Sequence, residues 1–284
     1  MSDFATQVMH GAVRGRVLSC HARACNLLLH DGRAGHSGTL LALVLRGIGD
    51  GPLNLVVDGD TAPWARLDAG ATIAVQDRVL RFDGFSIDTR TGLRWTARPA
   101  IAVPRLADAE LAWLLRRACR MASCPGLLEA LCPISADPPL HVAAVAALLR
   151  NRPSAILDWP QLASDLVGLG PGLTPAGDDF LAGAMIALHQ FDPGADRHCQ
   201  AMLRRCEGAS TRLSLALLER AAQGQCSQAW HELLEALAIA EPAATFVTHR
   251  LEQAIRGVLA HGASSGADTL AGFLYAAGRM PVPA

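Results

Sequence analysis

The stretch GLGPGLTPAGDDFLAG, residues 168–183, places four glycines, two prolines, a threonine and two aspartates ahead of an apolar run that continues to residue 188. Such a loop has backbone to spare for a ligand. Glycine lets amide groups approach an anion closely, proline fixes the turns, and the start of a helix adds unpaired N–H donors with a favourable dipole. The run 180–188 is apolar or small nearly all round, the pattern of a helix enclosed by its neighbours. His189 and Asp192 interrupt it well short of the length that spans a bilayer, so no membrane segment is expected. The spacing fits neither GxGxxG nor GxxxxGK[ST], so neither a dinucleotide fold nor a P-loop follows.

A second stretch, HGASSGADTLAG at residues 261–272, echoes the first. GDDFLAG (177–183) and GADTLAG (266–272) agree at five of seven positions with an offset of 89 residues, and Asp179 falls on Asp268. The similarity predicts two loop-to-helix entries side by side in the core, with Gly183 and Gly272 allowing close helix approach. Chance similarity in an Ala/Leu/Gly-rich chain and true duplication both remain open here.

Outward from these loops, helical periodicity runs through residues 109–121, 140–150, 211–223, 227–238 and 244–260, and from Asp108 onward the composition turns to Ala, Leu, Arg and Glu. Toward the N-terminus, residues 12–103 hold glycine-containing turns (Asp31-Gly32, Asp58-Gly59, Asp83-Gly84) between apolar runs too brief for helices. Strands are expected at 16–19, 40–45, 53–57, 72–75, 79–82 and 93–96, with another in the apolar run after Arg23. The predicted class is α+β: a β-rich barrel or sandwich over residues 1–105, then a mainly helical domain over 106–284 carrying the glycine-rich loops. Pro99 and Pro104 mark the boundary.

The 284 residues are 51% hydrophobic and 18% charged, which excludes a disordered chain, and the net charge of -1 provides no nucleic-acid footprint. All 25 basic residues are arginine. Without lysine this chain cannot form a pyridoxal phosphate Schiff base, offer a P-loop lysine or carry biotin. The eight cysteines are scattered with no CxxC pair, and the N-terminus lacks a signal-peptide pattern. Reduced thiols in a cytoplasmic protein are expected.

The candidate ligand-binding residues are Gly170, Gly172, Thr174 and Gly177 in the first loop and Ser264 and Ser265 in the second. Arg212 joins them from STRLS (210–214), because an arginine in a helix's first turn opposes the dipole and asks for an anion. Asp178 and Asp179 either cap their helix or work with Asp268 as a general acid or base, or as oxygen ligands for Mg²⁺, the candidate metal. His261 either contributes to the same chemistry or marks a helix C-terminus. No GxSxG elbow surrounds the serines, which argues against a serine triad. Arg23 and Asn26 in RACNLLL suggest a polar contact between domains.

Taken together, GLGPGLTPAGDDFLAG, HGASSGADTLAG and RACNLLL resemble the bacterial AllH family, long treated as a domain of unknown function and loosely labelled a carboxylase. One branch is a subunit of oxamate carbamoyltransferase in allantoin breakdown. The resemblance implies carbamoyl transfer between oxamate and phosphate, a small anionic substrate (phosphate, carbamoyl phosphate or an oxamate-like acid), and other subunits in a hetero-complex. The STRLS stretch also resembles the STRT loop of ordinary transcarbamylases, whose HPxQ motif is missing here. Two further readings stand beside it: a non-catalytic anion-binding or assembly subunit, and a Mg²⁺-dependent phosphate-ester or nucleotide enzyme. Neither a nucleic acid nor a membrane is expected as partner.

Overall fold

The computed structural model describes residues 1–33, 38–59, 61–151, 158–239 and 249–280. The chain forms two units, Met1–Ala97 and Arg98–Ala284. Sequence analysis drew the boundary a few residues later, at 105.

In the first unit an N-terminal helix α1 (Asp3–Gly11) precedes seven strands: β1 (Arg14–Cys20), β2 (Ala24–His30), β3 (Thr39–Leu45), β4 (Asn54–Val57), β5 (Thr72–Gln76), β6 (Val79–Phe82) and β7 (Phe85–Asp88). They make one nearly closed, barrel-like sheet in the order β4-β3-β2-β1-β5-β6-β7. Among the described pairings of one strand with another, β3–β4 is parallel and the rest are antiparallel. Strands β2 and β3 are buried at every interior position, which is why they read as continuous apolar runs. Strand β5 alternates instead, turning Ile73 and Val75 inward. Ala5 and Met9 of α1 pack into the same core as Leu27, Leu41, Leu80 and Trp64. Residues Asp77 and Arg78 both take positive φ in the two-residue β5–β6 turn, as a type I′ hairpin requires.

One expectation fails here, and two elements appear that the sequence did not announce. The strand at 93–96 reduces to a single bridge between Ser2 and Trp95. Helix α1 and strand β7 were not expected, since a nine-residue helix and the four-residue FSID carry little periodicity.

The second unit is helical: α2 (Asp108–Met121), α3 (Leu128–Leu131), α4 (Leu140–Arg150), α5 (Trp159–Leu166), α6 (Ala176–Phe191), α7 (Ala195–Cys206), α8 (Arg212–Ala221), α9 (Gln228–Ala238), α10 (His249–Leu259) and α11 (Ser265–Ala277). Helix α4 covers the residues its periodicity predicted. Residues 244–248 of the expected 244–260 helix lie outside the described residues. Helices α6 and α11 form the centre, buried over nearly their whole lengths. The Phe180 ring packs tilted against that of Tyr275 with centroids 5.5 Å apart, and Phe273 sits between Phe191 and Trp230 at 6.0 and 5.2 Å. No helix among the described residues is long and apolar enough to cross a membrane.

Candidate functional site

The site grows from the crossing of α6 and α11. A Cβ on Gly183 would lie 1.8 Å from the carbonyl oxygen of Thr269, and one on Gly272 would lie 1.8 Å from that of Phe180. Backbone rests on backbone, as only glycine permits. The contacts are reciprocal, because Phe180 and Thr269, like Gly183 and Gly272, are matched positions of the two similar stretches. This crossing brings the N-terminal ends of α6 and α11 together, and with them the two loops: Thr174 Oγ1 and Ser265 Oγ are 3.0 Å apart.

The first loop is pinned at both ends. The Gly177 amide donates to the carbonyl of Leu169 at 2.8 Å, and Gly177 itself is wedged against the carbonyl of Leu166. Between these anchors Gly170 and Gly172 take φ of +110° and +102°, values that L side chains rarely adopt. A Cβ at Gly172 would meet nothing within 4 Å, whereas one at Gly170 would press on Ala176. The tip is further tied to α8. Thr211 Oγ1 donates to the carbonyl of Leu173 at 2.6 Å while accepting from the Ser214 amide at 3.1 Å as the helix cap. Arg212 follows immediately, exposed in the first turn of α8.

The adjacent aspartates have different surroundings. Asp178 is a clamp: Oδ1 accepts from the Gly168 amide at 2.7 Å and Oδ2 from the Ser210 hydroxyl at 2.6 Å. Both oxygens are thus engaged in holding the loop base and the approach to α8. Asp179, one residue on, points away from that clamp and toward the hydroxyls of Ser265 and Thr174. It is only 7% exposed, and its Oδ2 is buried with no hydrogen-bond partner. Burial raises its pKa to about 8, helped by the neighbouring charges of Asp268 and Asp178 and opposed by hydrogen bonds from Ser265 and Thr174.

Asp268 holds the equivalent place on α11 and is 1% exposed. Its Oδ1 accepts from the Leu127 amide at 2.6 Å, and its Oδ2 is also buried without a partner. Burial pushes its pKa up, while bonds from the Leu127 amide and Ser264 and the charge of His141 pull it down. Gly126, at φ +49°, makes room for this carboxyl: a Cβ there would lie 2.2 Å from Oδ1. This third loop was missed in the sequence. Its Pro125-Gly126 step signals a turn, but nothing in it announces a partner on α11.

His261 is held at the C-terminal end of α10, with Nδ1 3.2 Å from the carbonyl of Gly257. Ser264 precedes α11 and accepts the Asp268 amide at its carbonyl. Sharing of a cation by Asp178, Asp179 and Asp268, one of the readings of these carboxylates, finds no support in the side-chain arrangement. Among the described residues no group of three or more His, Cys, Asp and Glu side chains is placed to hold a metal ion.

What the arrangement offers is a pair of hydroxyls beside a buried carboxyl that keeps its proton near neutral pH, below a glycine loop opening outward. Such a set can donate to a carbonyl oxygen, accept from an amide N–H and deliver a proton.

No solved structure matches the chain. Two family models do: that of the AllH family N-terminal domain matches residues 1–94, and that described as oxamate carbamoyltransferase subunit AllH matches residues 166–277. The second match begins at the last residue of α5, takes in both glycine loops and ends at the last residue of α11. With the sheet unit and the α6–α11 core each matched by its own model, the chain belongs to the AllH family.

Proposed function

We propose that this chain is a carbamoyltransferase subunit whose glycine-loop site binds a small carbamoyl-bearing anion of the oxamate kind, and that it works beside other subunits. The family's description supports the reaction class and the company of further subunits. One observation carries the site: Asp179, buried and with an unpartnered Oδ2, beside the Thr174 and Ser265 hydroxyls at the mouth of the glycine loop.

A carbamoyl group has an N–H₂ end that needs an acceptor and a carbonyl oxygen that needs donors. Asp179 Oδ2 supplies the first once it has given up its proton; in the Thr174–Ser265 pair, where one hydroxyl donates to the other, the remaining hydroxyl proton supplies the second, strengthening as charge builds on that oxygen. The anionic remainder of the substrate is suited to the backbone of residues 170–172, with Arg212 next in sequence to Thr211, which ties the loop tip. In the direction that yields carbamoyl phosphate, the C–N bond to oxamate breaks as the C–O bond to phosphate forms. The oxamate nitrogen then needs a proton. Asp179, still protonated at neutral pH, donates it and becomes the carboxylate. Asp178 has no direct part in this and holds the loop in place.

The test is a reconstituted complex assayed for carbamoyl phosphate formation. Asp179→Asn and, separately, Arg212→Ala are expected to lower turnover by about 10²-fold or more and to raise KM, respectively, with assembly intact. Lost assembly with unchanged turnover per assembled complex would make the chain a scaffold and end this reading.

A further inference from the structure

The hairpin that opens the sheet unit contains an irregularity with a chemical consequence. From Arg14 to Val17, β1 pairs with β2 in one register; between Val17 and Ser19 the register shifts, and from Ser19 on the partners are Ser19 with Asn26 and Cys20 with Cys25. Leu18 is the extra residue of a β-bulge. Had the first register continued, Cys20 would face Ala24 and Cys25 would face Ser19. The bulge therefore sets the two thiols opposite each other, and their sulfurs lie 2.7 Å apart.

The pair also has backbone geometry suited to a bridge. The His21 amide donates to the Ala24 carbonyl at 2.8 Å, so residues 21 and 24 form a hydrogen-bonded pair. In an antiparallel ladder the next pair, 20 and 25, is then non-hydrogen-bonded, the kind whose Cα atoms come within about 4.5 Å. That spacing falls inside the range that disulfides span. The hairpin is held from outside as well: the Trp64 indole donates to the His21 carbonyl at 3.2 Å, and Asn26 donates to Ser19 Oγ at 3.0 Å.

We infer that Cys20 and Cys25 form a reversible dithiol–disulfide couple that closes this hairpin, with a small-molecule disulfide such as that of glutathione as the oxidant. Cys20, half-buried, reacts first. Burial and the Cys20 sulfur push the Cys25 thiol well above its ordinary range, so Cys25 is the resolving partner. The Cys20 thiolate attacks one sulfur of glutathione disulfide and expels a glutathione thiolate. The Cys25 thiolate then attacks Cys20 Sγ of the mixed disulfide and expels the second. Two protein thiols lose two electrons, one glutathione disulfide is reduced to two thiols, and the two protons end on the departing glutathiones.

Arg23 makes the test direct, because trypsin cuts between the two cysteines. Peptides 17–23 and 24–33 separate unless a bridge joins them. The full chain is equilibrated in glutathione buffers of graded ratio, once folded and once in urea, then quenched by alkylation and digested. The expected result is a joined 17–23/24–33 species, reversed by excess reduced glutathione. Its midpoint should lie at a glutathione ratio at least about tenfold more reducing for the folded chain than for the urea-unfolded one, because the fold presents the thiols together. Cys25→Ser should leave Cys20 as a glutathione adduct and Cys20→Ser should leave neither form. Separate adducts or free thiols across the whole series, or a midpoint that the fold does not move, overturn the inference.

Discussion

Replacing Asp179 by asparagine should make the protein more stable, and increasingly so as the pH rises. The carboxyl has an ordinary pKa of 3.8 in an unfolded chain and about 8 in the fold, where burial penalises the charged form. Below pH 4 both states hold the proton and the side chain is equivalent to asparagine. Between pH 4 and 8 the unfolded chain releases the proton while the fold keeps it, so wild-type stability falls as pH rises, and the loss levels off above pH 8. At about 1.36 kcal/mol per unit, the three units from pH 5 to pH 8 amount to ~4 kcal/mol. Urea unfolding followed by circular dichroism, for wild type and Asp179→Asn at pH 5, 6, 7 and 8, measures the difference directly. We expect the advantage of the variant to grow by about 2–4 kcal/mol across that range. A difference that stays flat to within about 1 kcal/mol would show that Asp179 ionises as an ordinary carboxylate, and the proton-donor role would fall with it. The same substitution lowers turnover in the proposed mechanism, so stability and activity are set against each other at this one residue.

Two further outcomes follow from the packing. Gly183→Ala and Gly272→Ala each drive a methyl into a backbone carbonyl that cannot rotate away, and each should cost about 3 kcal/mol or more, measured by urea unfolding; costs under 1 kcal/mol would mean that the helices part easily. Ser210→Ala leaves Asp178 Oδ2 buried without its donor and should cost about 1–3 kcal/mol by the same assay, with loosened protection of the Gly168 amide in hydrogen exchange.

The sequence exposed much of this arrangement, and its gaps have physical causes. Helix α4 is legible because apolar residues recur at helical spacing over residues 140–150, and α6 and α11 because enclosure on all sides leaves them apolar all round. The convergence of the loops was foreseen from the match between 177–183 and 266–272, and the 3.0 Å contact of Thr174 with Ser265 agrees with it. The different surroundings of Asp178 and Asp179 were not legible. They sit side by side in the chain, and only the 100° turn between helical neighbours sends one to Gly168 and Ser210 and the other to Ser265. Leu127 was invisible for another reason: its amide reaches Asp268 across 141 residues, and a backbone donor leaves no mark on residue type. The short helices α3 and α5 escaped because four and eight residues give periodicity little room to declare itself, whereas the twelve-residue α7 is at least as long as α4 and its apolar spacing was overlooked.

The glycine crossing has a last consequence, for motion. Where Gly183 and Gly272 cross, no side chain lies between α6 and α11 and there is no compressible layer to yield, so the spacing of the two helix N-termini that carry Asp179 and Ser265 is set close to the thickness of two polypeptide backbones. That crossing behaves as a rigid ruler. If the proposed site opens and closes, the two glycines at positive φ in residues 170–172 are the natural place for it, and substrate entry would then take a few dihedral angles rather than helices sliding apart.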